Sequence, residues 1–166
     1  LPKRWLHSNV IPIHKKGPKY DITNYRPISL TSICCRTMES IIKKHVTQYM
    51  TTNRYISPCQ YGFRSQFSTC SQLLYCTNIW TKNFAIKNPV DIIYFDFAKA
   101  FDTVGHNKLL LKLKAYGIKR DLFEWIKAFL DNRHQRVKID DEFSTEKRVS
   151  SGVPQGSVLG PLLFLI

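Results

Sequence analysis

The sequence predicts an α+β fold, and three observations indicate it. Apolar runs rich in β-branched and aromatic residues, such as "NVIPI" and "DIIYFDF", are typical of strands. In several other stretches the apolar residues recur at helical spacing. These strand and helix patterns alternate irregularly, which favours α+β over a regular doubly wound sheet.

The first 33 residues are basic, extended and interrupted by prolines. Residues 9–14 form a short apolar strand pattern that runs into a turn containing Lys15, Lys16, Gly17 and Pro18. Pro27 disfavours a helical backbone at Arg26, so a second extended segment is predicted there.

Two helices are predicted between residues 34 and 88. The first covers about 34–50, and its apolar stripe comprises Met38, Ile41, Ile42, His45, Val46 and Tyr49, which predicts a core position for His45. The second begins after Ser68 or Thr69, since hydroxyl side chains favour the N-cap, and ends at Asn88–Pro89. Its predicted apolar face comprises Leu73, Cys76, Thr77, Trp80 and Phe84.

Residues 90–97 predict a buried strand, because they are β-branched and aromatic without an interior glycine or proline. The leucine-rich segment beyond Asn107 predicts a helix that closes at Gly117. Another helix is expected over 121–131 with Asp121 as its N-cap. A hairpin should follow around residues 140–142.

The formal net charge is +13, and it is concentrated in the first part of the chain. Residues 1–64 hold 11 Lys and Arg against only Asp21 and Glu39, a net charge of +9. Such a balance indicates a polyanionic partner, with nucleic acid favoured over a membrane because no basic amphipathic helix opens the chain. A merely solubilising surface is the alternative.

Cysteine usage and the chain ends suggest an intracellular piece of a longer protein. The five cysteines are odd in number and form no Cys-x-x-Cys pair, which predicts reduced thiols and argues against a zinc site. The longest apolar stretch, "SVLGPLLFLI", is too short to span a bilayer. The chain begins without Met and stops within that run, which a complete domain would rarely expose.

Asp96 is the first candidate for chemistry, because a carboxylate at the end of a predicted buried strand is well placed to bind a hard cation. The alternative is that Asp96 caps the next segment. A two-metal site also normally needs more than one carboxylate. Asp102, six residues further on, is expected to cap the following helix or to pair with a lysine.

Two further constellations could bind a ligand. The stretch "SSGVPQGSVLGP", residues 150–161, contains three glycines and two prolines, which predicts a stiff loop from which the Gln155 side chain projects. The alternative is a loop that only leads into a helix. The basic side chains Lys15, Lys16, Lys19 and Arg26 could grip phosphates, although a solvated face is the alternative.

Four stretches together resemble one family. In order and spacing, "VIPIHKKG…ITNYRPISL", "QYGFRSQFST", "YFDFAKAFDTV" and "SSGVPQGSVLGPLLF" are similar to successive blocks of reverse transcriptases, most closely those of non-LTR (LINE-type) retrotransposons. The resemblance implies a right-hand polymerase fold of fingers, palm and thumb. Residues 1–90 would be mostly fingers with the start of the palm, and 91–110 a palm strand and turn. Residues 111–150 would largely return to the fingers, and 151–166 would form a palm loop and the start of a helix.

The resemblance also implies roles for individual residues. Asp96 would be the first catalytic aspartate and bind two Mg²⁺ ions, with the Phe97 carbonyl as a further ligand. Phe101 would lie under the deoxyribose and exclude a 2′-hydroxyl, unless it is an ordinary core aromatic. The remaining implied contacts are Gln155, Gly156, Lys16 and Arg26 for the nucleotide, and Lys15 and Arg64 for nucleic acid.

The implied activity is RNA-directed DNA synthesis, with an RNA template, a DNA primer and deoxynucleoside triphosphates as partners, in the nucleus or cytoplasm. The family's Tyr-x-Asp-Asp hairpin is not in the sequence, and the thumb would lie further downstream. These residues alone are therefore expected to be inactive. The alternative is a catalytically inactive retroelement remnant that at most binds RNA non-specifically.

Overall fold

The computed structural model describes all residues from 1 to 166 and divides them into two compact units. Unit 1 comprises Leu1–Tyr55 and Lys99–Ile166, and unit 2 comprises Ile56–Ala98. Every buried apolar side chain belongs to unit 1. The structure confirms the coarse prediction of a fold with both α-helices and β-strands, since unit 1 combines a five-stranded sheet with α-helices.

The sheet of unit 1 contains both parallel and antiparallel pairs. Its strands are β1 (His7–His14), β2 (Tyr25–Leu30), β3 (His134–Ile139), β4 (Glu142–Phe143) and β5 (Lys147–Arg148). The order is β2-β1-β3-β4, and β5 also pairs with β3. β1 runs antiparallel to β2 and parallel to β3. The two predicted N-terminal extended segments and the predicted hairpin are therefore confirmed.

Five α-helices accompany these strands: α1 (Ile33–Thr52), α2 (Thr69–Ala85), α3 (His106–Ala115), α4 (Arg120–Leu130) and α5 (Gly160–Leu165). Two short 3₁₀ helices cover Lys3–Trp5 and Ile22–Asn24. None of the helices is long and apolar enough to cross a membrane. Gly117 follows the end of α3 as predicted, and α3 packs against α4.

The N-cap predicted for α4 is wrong. Lys119 occupies that position without a side-chain hydrogen bond, and Asp121 lies in the first turn, where its negative charge still favours the helix N-terminus. The C-terminal apolar run is largely covered in this chain. Leu162, Leu163 and Ile166 are buried in unit 1, because the short helix α5 turns them into its core.

The helix predicted near residues 34–50 is present as α1, but its buried face differs from the prediction. The buried residues are Cys35, Glu39, Ile42, Val46 and Met50. His45, Ile41 and Tyr49 are exposed, so the expectation of a core histidine is wrong. The buried face of α1 includes a charged residue, Glu39. Hydrophobic periodicity assigns buried positions to apolar side chains only, so it predicted a face on a different side of the helix.

Glu39 is fully buried because its carboxylate has specific partners. Its Oε2 accepts the Leu159 backbone N–H at 2.9 Å, and its Oε1 accepts the Cys35 thiol at 3.5 Å. Burial raises the pKa of Cys35 to about 12, and the negative charge of Glu39 acts in the same direction. The carboxylate thereby ties α1 to the end of the 150–159 loop.

We expect Glu39→Ala to lower the free energy of unfolding by about 3 kcal/mol, because the Leu159 N–H would lose its acceptor and a cavity would form. Glu39→Gln should lower it by only about 1 kcal/mol, since the amide oxygen can still accept that N–H. Urea unfolding of the chain measures both values. Equal losses in the two variants would show that the charge, and not the acceptor, is what matters.

Unit 2 consists of a loop, helix α2 and the segment that follows it. Ser68 caps α2 as predicted: its hydroxyl accepts the Ser71 N–H at 3.0 Å, and the Ser71 hydroxyl accepts the Ser68 N–H at 3.0 Å. No residue of α2 is buried. The predicted apolar face is therefore not covered, and Leu73 and Phe84 are exposed.

The predicted strand at 90–97 is wrong. Residues 91–97 form neither helix nor strand, and their side chains are exposed, with Tyr94 and Phe95 at 83% and 88% exposure. The physical reason is that a strand requires a neighbouring strand for its backbone hydrogen bonds. None of the five strands of this chain pairs with the segment, although its composition is suited to a sheet.

Candidate active site

The loop of residues 150–159 is held on two sides by backbone hydrogen bonds. Gly152 N–H donates to the Val104 carbonyl at 2.8 Å, and Val153 N–H donates to the Phe101 carbonyl at 2.8 Å. On the other side, Ser29 N–H on β2 donates to the Gln155 carbonyl at 2.7 Å. The loop is thus positioned between strand β2 and the turn that contains Phe101.

Two glycines allow this close approach. Gly152 has φ +85°, and a Cβ atom there would lie 2.8 Å from backbone atoms of Asp102 and Phe101. Gly156 has φ +97°, and a Cβ atom would lie 3.1 Å from the Ser29 carbonyl oxygen. A larger residue would strain the backbone at both positions and push the loop away from its neighbours. The turning, glycine-containing loop expected from the sequence is therefore present, and its close approach to a ligand remains a prediction.

Gln155 and Phe101 are brought to the same region of unit 1. The Gln155 side-chain amide donates to Asp102 Oδ1 at 3.3 Å. Asp102 does not cap α3, whose N-cap is Gly105, and it does not pair with a lysine, so both expectations for it are wrong. The Phe101 ring stacks on Phe164, with ring centroids 5.0 Å apart and an angle of 18° between the planes.

Asp96 and Phe97 lie in unit 2, on the exposed segment that lacks regular structure. Asp96 caps no helix, because the next helix, α3, begins at His106. The capping alternative for this residue is therefore wrong. The exposed carboxylate of Asp96 forms no ion pair and is available as an oxygen ligand.

The residues present do not complete a metal site. No group of three or more His, Cys, Asp or Glu side chains is gathered so that it could hold a metal ion. Asp96 fits the chemistry of Mg²⁺, which prefers carboxylate oxygens, but it supplies a single side-chain carboxylate. A two-ion site needs additional carboxylates.

The basic candidates of unit 1 lie near the end of β1 and on β2. Lys15 and Lys16 are exposed in the turn after β1, where the Lys15 N–H donates to the Asn24 carbonyl at 2.8 Å. Arg26 is exposed on β2, opposite Ile13 of β1. All three cations are accessible to a phosphate, and their predicted roles remain predictions.

Arg64, the basic candidate of unit 2, is engaged by its own loop. Its Nη1 donates to the carbonyls of Ser57 and Gln60 at 3.0 and 3.1 Å, and its guanidinium lies 4.0 Å from the Phe67 ring centroid. These contacts order the loop before α2. They leave the other guanidinium nitrogens for a partner, so the predicted nucleic-acid contact also remains a prediction.

Two arginines that lie beside the 150–155 loop were not among the candidate site residues predicted from the sequence. Arg133 and Arg148 line a cavity of about 320 Å³ that Gln155 also lines. Neither arginine belongs to one of the four blocks on which the resemblance rests. The predicted hairpin pairs β3 with β5 and so brings Arg133 close to Arg148, whereas no local sequence signal reports the pairing of β3 with β1.

Comparison with known proteins gives the family. Residues 13–166 match the family described as reverse transcriptase (RNA-dependent DNA polymerase). The chain belongs to the reverse transcriptase family. The match covers the first block from Ile13 onward and the other three blocks completely, and it includes Asp96, Phe101 and Gln155.

Relatives of this reverse transcriptase chain come from mobile elements. It is 34% identical over 173 residues to the probable RNA-directed DNA polymerase from transposon BS of Drosophila melanogaster, and 35% identical over 167 residues to the RNA-directed DNA polymerase from mobile element jockey of the same species. It is 27% identical over 166 residues to the Pol polyprotein from the type-1 retrotransposable element R2 of Popillia japonica. These relatives confirm the resemblance to non-LTR retrotransposon reverse transcriptases.

The alignments cover nearly the whole chain but a small part of each relative. They include 100% of this chain for the transposon BS and jockey enzymes and 99% for the R2 polyprotein. The chain spans 18%, 18% and 23% of the lengths of these three relatives, respectively. It therefore corresponds to part of a reverse transcriptase domain.

Proposed function

We propose that the protein carrying this chain is an RNA-directed DNA polymerase of a non-LTR retrotransposon. It would use an RNA template and a DNA primer, and transfer a deoxynucleotide to the primer 3′-hydroxyl with release of pyrophosphate. The observation that carries the proposal is the family match across residues 13–166, which contain the candidate side chains in the family's order.

The loop geometry supports the proposed nucleotide contacts. Gln155 is half-buried beside Asp102, and Gly156 is exposed, so that a flat ligand can approach its solvent-facing side. Phe101 is half-buried in the turn that the loop contacts, and we propose that its ring lies under the deoxyribose. Lys16 and Arg26 would bind the triphosphate, and Lys15 and Arg64 would contact nucleic acid.

Asp96 is the residue that we propose to bind Mg²⁺, with the Phe97 carbonyl beside it. Two bound Mg²⁺ ions would supply charge stabilisation for the attacking and leaving oxygens. The carboxylates that complete such a site would come from the Tyr-x-Asp-Asp hairpin, which is not in this sequence. Residues 1–166 by themselves are therefore proposed to lack polymerase activity.

The proposed architecture is that of a right-hand polymerase. Residues 1–90 would form mostly fingers with the start of the palm, 91–110 a palm strand and turn, 111–150 largely fingers, and 151–166 a palm loop and the start of a helix. Under this proposal the segment 91–97 would become a strand only when a neighbouring strand from another part of the protein pairs with it. Its β-branched and aromatic composition supports that assignment.

Primer extension on RNA tests the proposed function. The full-length protein is expected to incorporate deoxynucleotides on a primed RNA template in the presence of Mg²⁺, and purified 1–166 is expected to incorporate none. The control is the same reaction without primer. A full-length protein that binds the primed RNA but incorporates nothing would contradict the proposal and favour an inactive remnant. Incorporation by 1–166 would contradict the proposed need for further carboxylates.

A further inference from the structure

The cavity beside the 150–155 loop is lined by an unusual set of polar groups. It has a volume of about 320 Å³, far more than the roughly 10–15 Å³ that a single water molecule requires. Two arginines, four serines and two glutamines line it, and Asp102 is its single acidic residue. The hydrogen bond from Gln155 to Asp102 already occupies one of the carboxylate oxygens. The lining is therefore rich in donors for an anion.

Arg133 is the most informative of these residues. Its side chain is 1% exposed, although it carries a charge that proteins rarely bury without a partner. Its Nη1 donates weakly to the carbonyls of Trp5 and Phe129, at 3.4 and 3.3 Å, whereas its Nη2 is buried without a hydrogen-bond partner. Such an unsatisfied charged donor is unfavourable unless a ligand meets it.

No carboxylate of the chain forms an ion pair with Arg133. Burial lowers the pKa of Arg133, and the negative charge of the buried Glu39 opposes that shift. The two Glu39 oxygens already accept the Leu159 N–H and the Cys35 thiol. The single ion pair of the structure is His7–Glu146, so the Glu39 carboxylate and the Arg133 guanidinium lie farther apart than ion-pair distance. Arg133 therefore retains positive charge that protein side chains do not neutralise directly.

Three other groups complete the donor set. Ser8 on β1 and Ser29 on β2 are both buried, line the cavity, and have hydroxyls that bond to no protein atom. Arg148 on β5 is exposed and lines the same cavity. These donors come from three different strands, so the cavity is built by the sheet rather than by one flexible loop.

We propose that this cavity binds one phosphate group, with Arg133 and Arg148 as its cationic ligands and Ser8 and Ser29 as hydroxyl donors. A phosphate in the cavity would place negative charge beside the Arg133 guanidinium, with which no carboxylate of the chain forms an ion pair. The phosphate could belong to a nucleic-acid backbone or to a nucleotide, and the chemistry of the site is the same for both. The proposal deepens the proposed polymerase function by adding a phosphate contact outside the four family blocks.

A phosphate titration of the isolated chain tests the site. We expect inorganic phosphate, added at constant ionic strength, to shift the amide NMR signals of Ser151 and Gly152 saturably, and to shift the Arg133 guanidinium N–H signal in parallel. Arg148→Gln should weaken phosphate binding about tenfold, because it removes one charge-assisted hydrogen bond. Arg148 is exposed, so this variant is expected to fold, whereas a change at the buried Arg133 could unfold the chain.

Lys147→Gln is the matched control, since Lys147 precedes Arg148 on β5, carries the same charge and does not line the cavity. It should leave phosphate binding unchanged. An absence of saturable shifts, or equal effects of the two substitutions, would overturn the proposal. The titration measures no catalytic step, so its outcome is independent of polymerase activity. The full-length protein could extend a primer although this cavity binds no phosphate, and the cavity could bind phosphate although the protein extends no primer.

Competition identifies the source of the phosphate. An oligouridylate that displaces inorganic phosphate from wild-type protein, but not from Arg148→Gln, would assign the site to a nucleic-acid backbone. Displacement by dTTP alone would assign it to a nucleotide. If neither compound competes, the site binds an adventitious ion only, and the proposal is overturned.

Discussion

Asp96→Asn in the full-length protein is expected to abolish deoxynucleotide incorporation, with a loss of at least about 10²–10³-fold in kcat. The substitution keeps the size of the side chain but removes the negative charge proposed to bind Mg²⁺. Because Asp96 is exposed and caps no helix, the change should leave the free energy of unfolding nearly unaltered. Primer extension on RNA measures the rate, and urea unfolding of the same preparations measures stability.

Asp91→Asn is the matched control for this experiment. Asp91 is an exposed aspartate five residues earlier on the same irregular segment, so its replacement makes the same chemical and charge change. Incorporation by Asp91→Asn should remain within a few-fold of wild type. Near-normal turnover by Asp96→Asn, or an equal loss in both variants, would remove Asp96 from the proposed metal site. Retained binding of primed RNA distinguishes lost chemistry from lost substrate.

Phe101→Ala in the full-length protein is expected to relax discrimination between deoxyribonucleotides and ribonucleotides. If the ring lies under the sugar, its removal opens space for a 2′-hydroxyl. The ratio of kcat/KM for CTP to that for dCTP should then rise by tenfold or more, where each tenfold corresponds to about 1.4 kcal/mol. Steady-state incorporation of dCTP and CTP on the same primed template gives the two constants.

Phe164→Ala is the control for the loss of packing. It removes the ring on which Phe101 stacks but keeps Phe101 itself. We expect this variant to be less stable, with an unchanged sugar preference. If Phe101 were only a packing residue, its truncation would lower stability by up to about 3–5 kcal/mol and reduce both activities in parallel. An unchanged CTP-to-dCTP ratio in Phe101→Ala would therefore end its assignment as the sugar-discriminating residue.

Local sequence signals predicted the 150–159 loop well. The glycines at 152 and 156 have positive φ, as expected of the turning loop that the spacing of glycine and proline indicated. Pro161 lies in the first turn of α5, the position expected for a proline that begins a helix. Such features depend on residues close together in the chain, so the sequence contains the information needed to predict them.

Burial was predicted less well, because it depends on residues far apart in the chain. The periodicity of α1 identified the helix but not its buried face, since Glu39 is buried through a hydrogen bond to Leu159, 120 residues away. Asp102 likewise bonds to Gln155 and not to the nearby helix. In both cases a polar partner from a distant segment decides the environment of a charged side chain.

The sequence by itself determined the family, the coarse α+β class and the helices whose caps are local, such as the Ser68 cap of α2. Only the tertiary structure decided that 91–97 has no strand partner, and that Arg133 and Arg148 line one cavity with Gln155. The physical reason is that helix caps and turns are formed by near neighbours in the chain. Sheet pairing and the burial of a charge require groups from distant segments, which composition and periodicity do not specify.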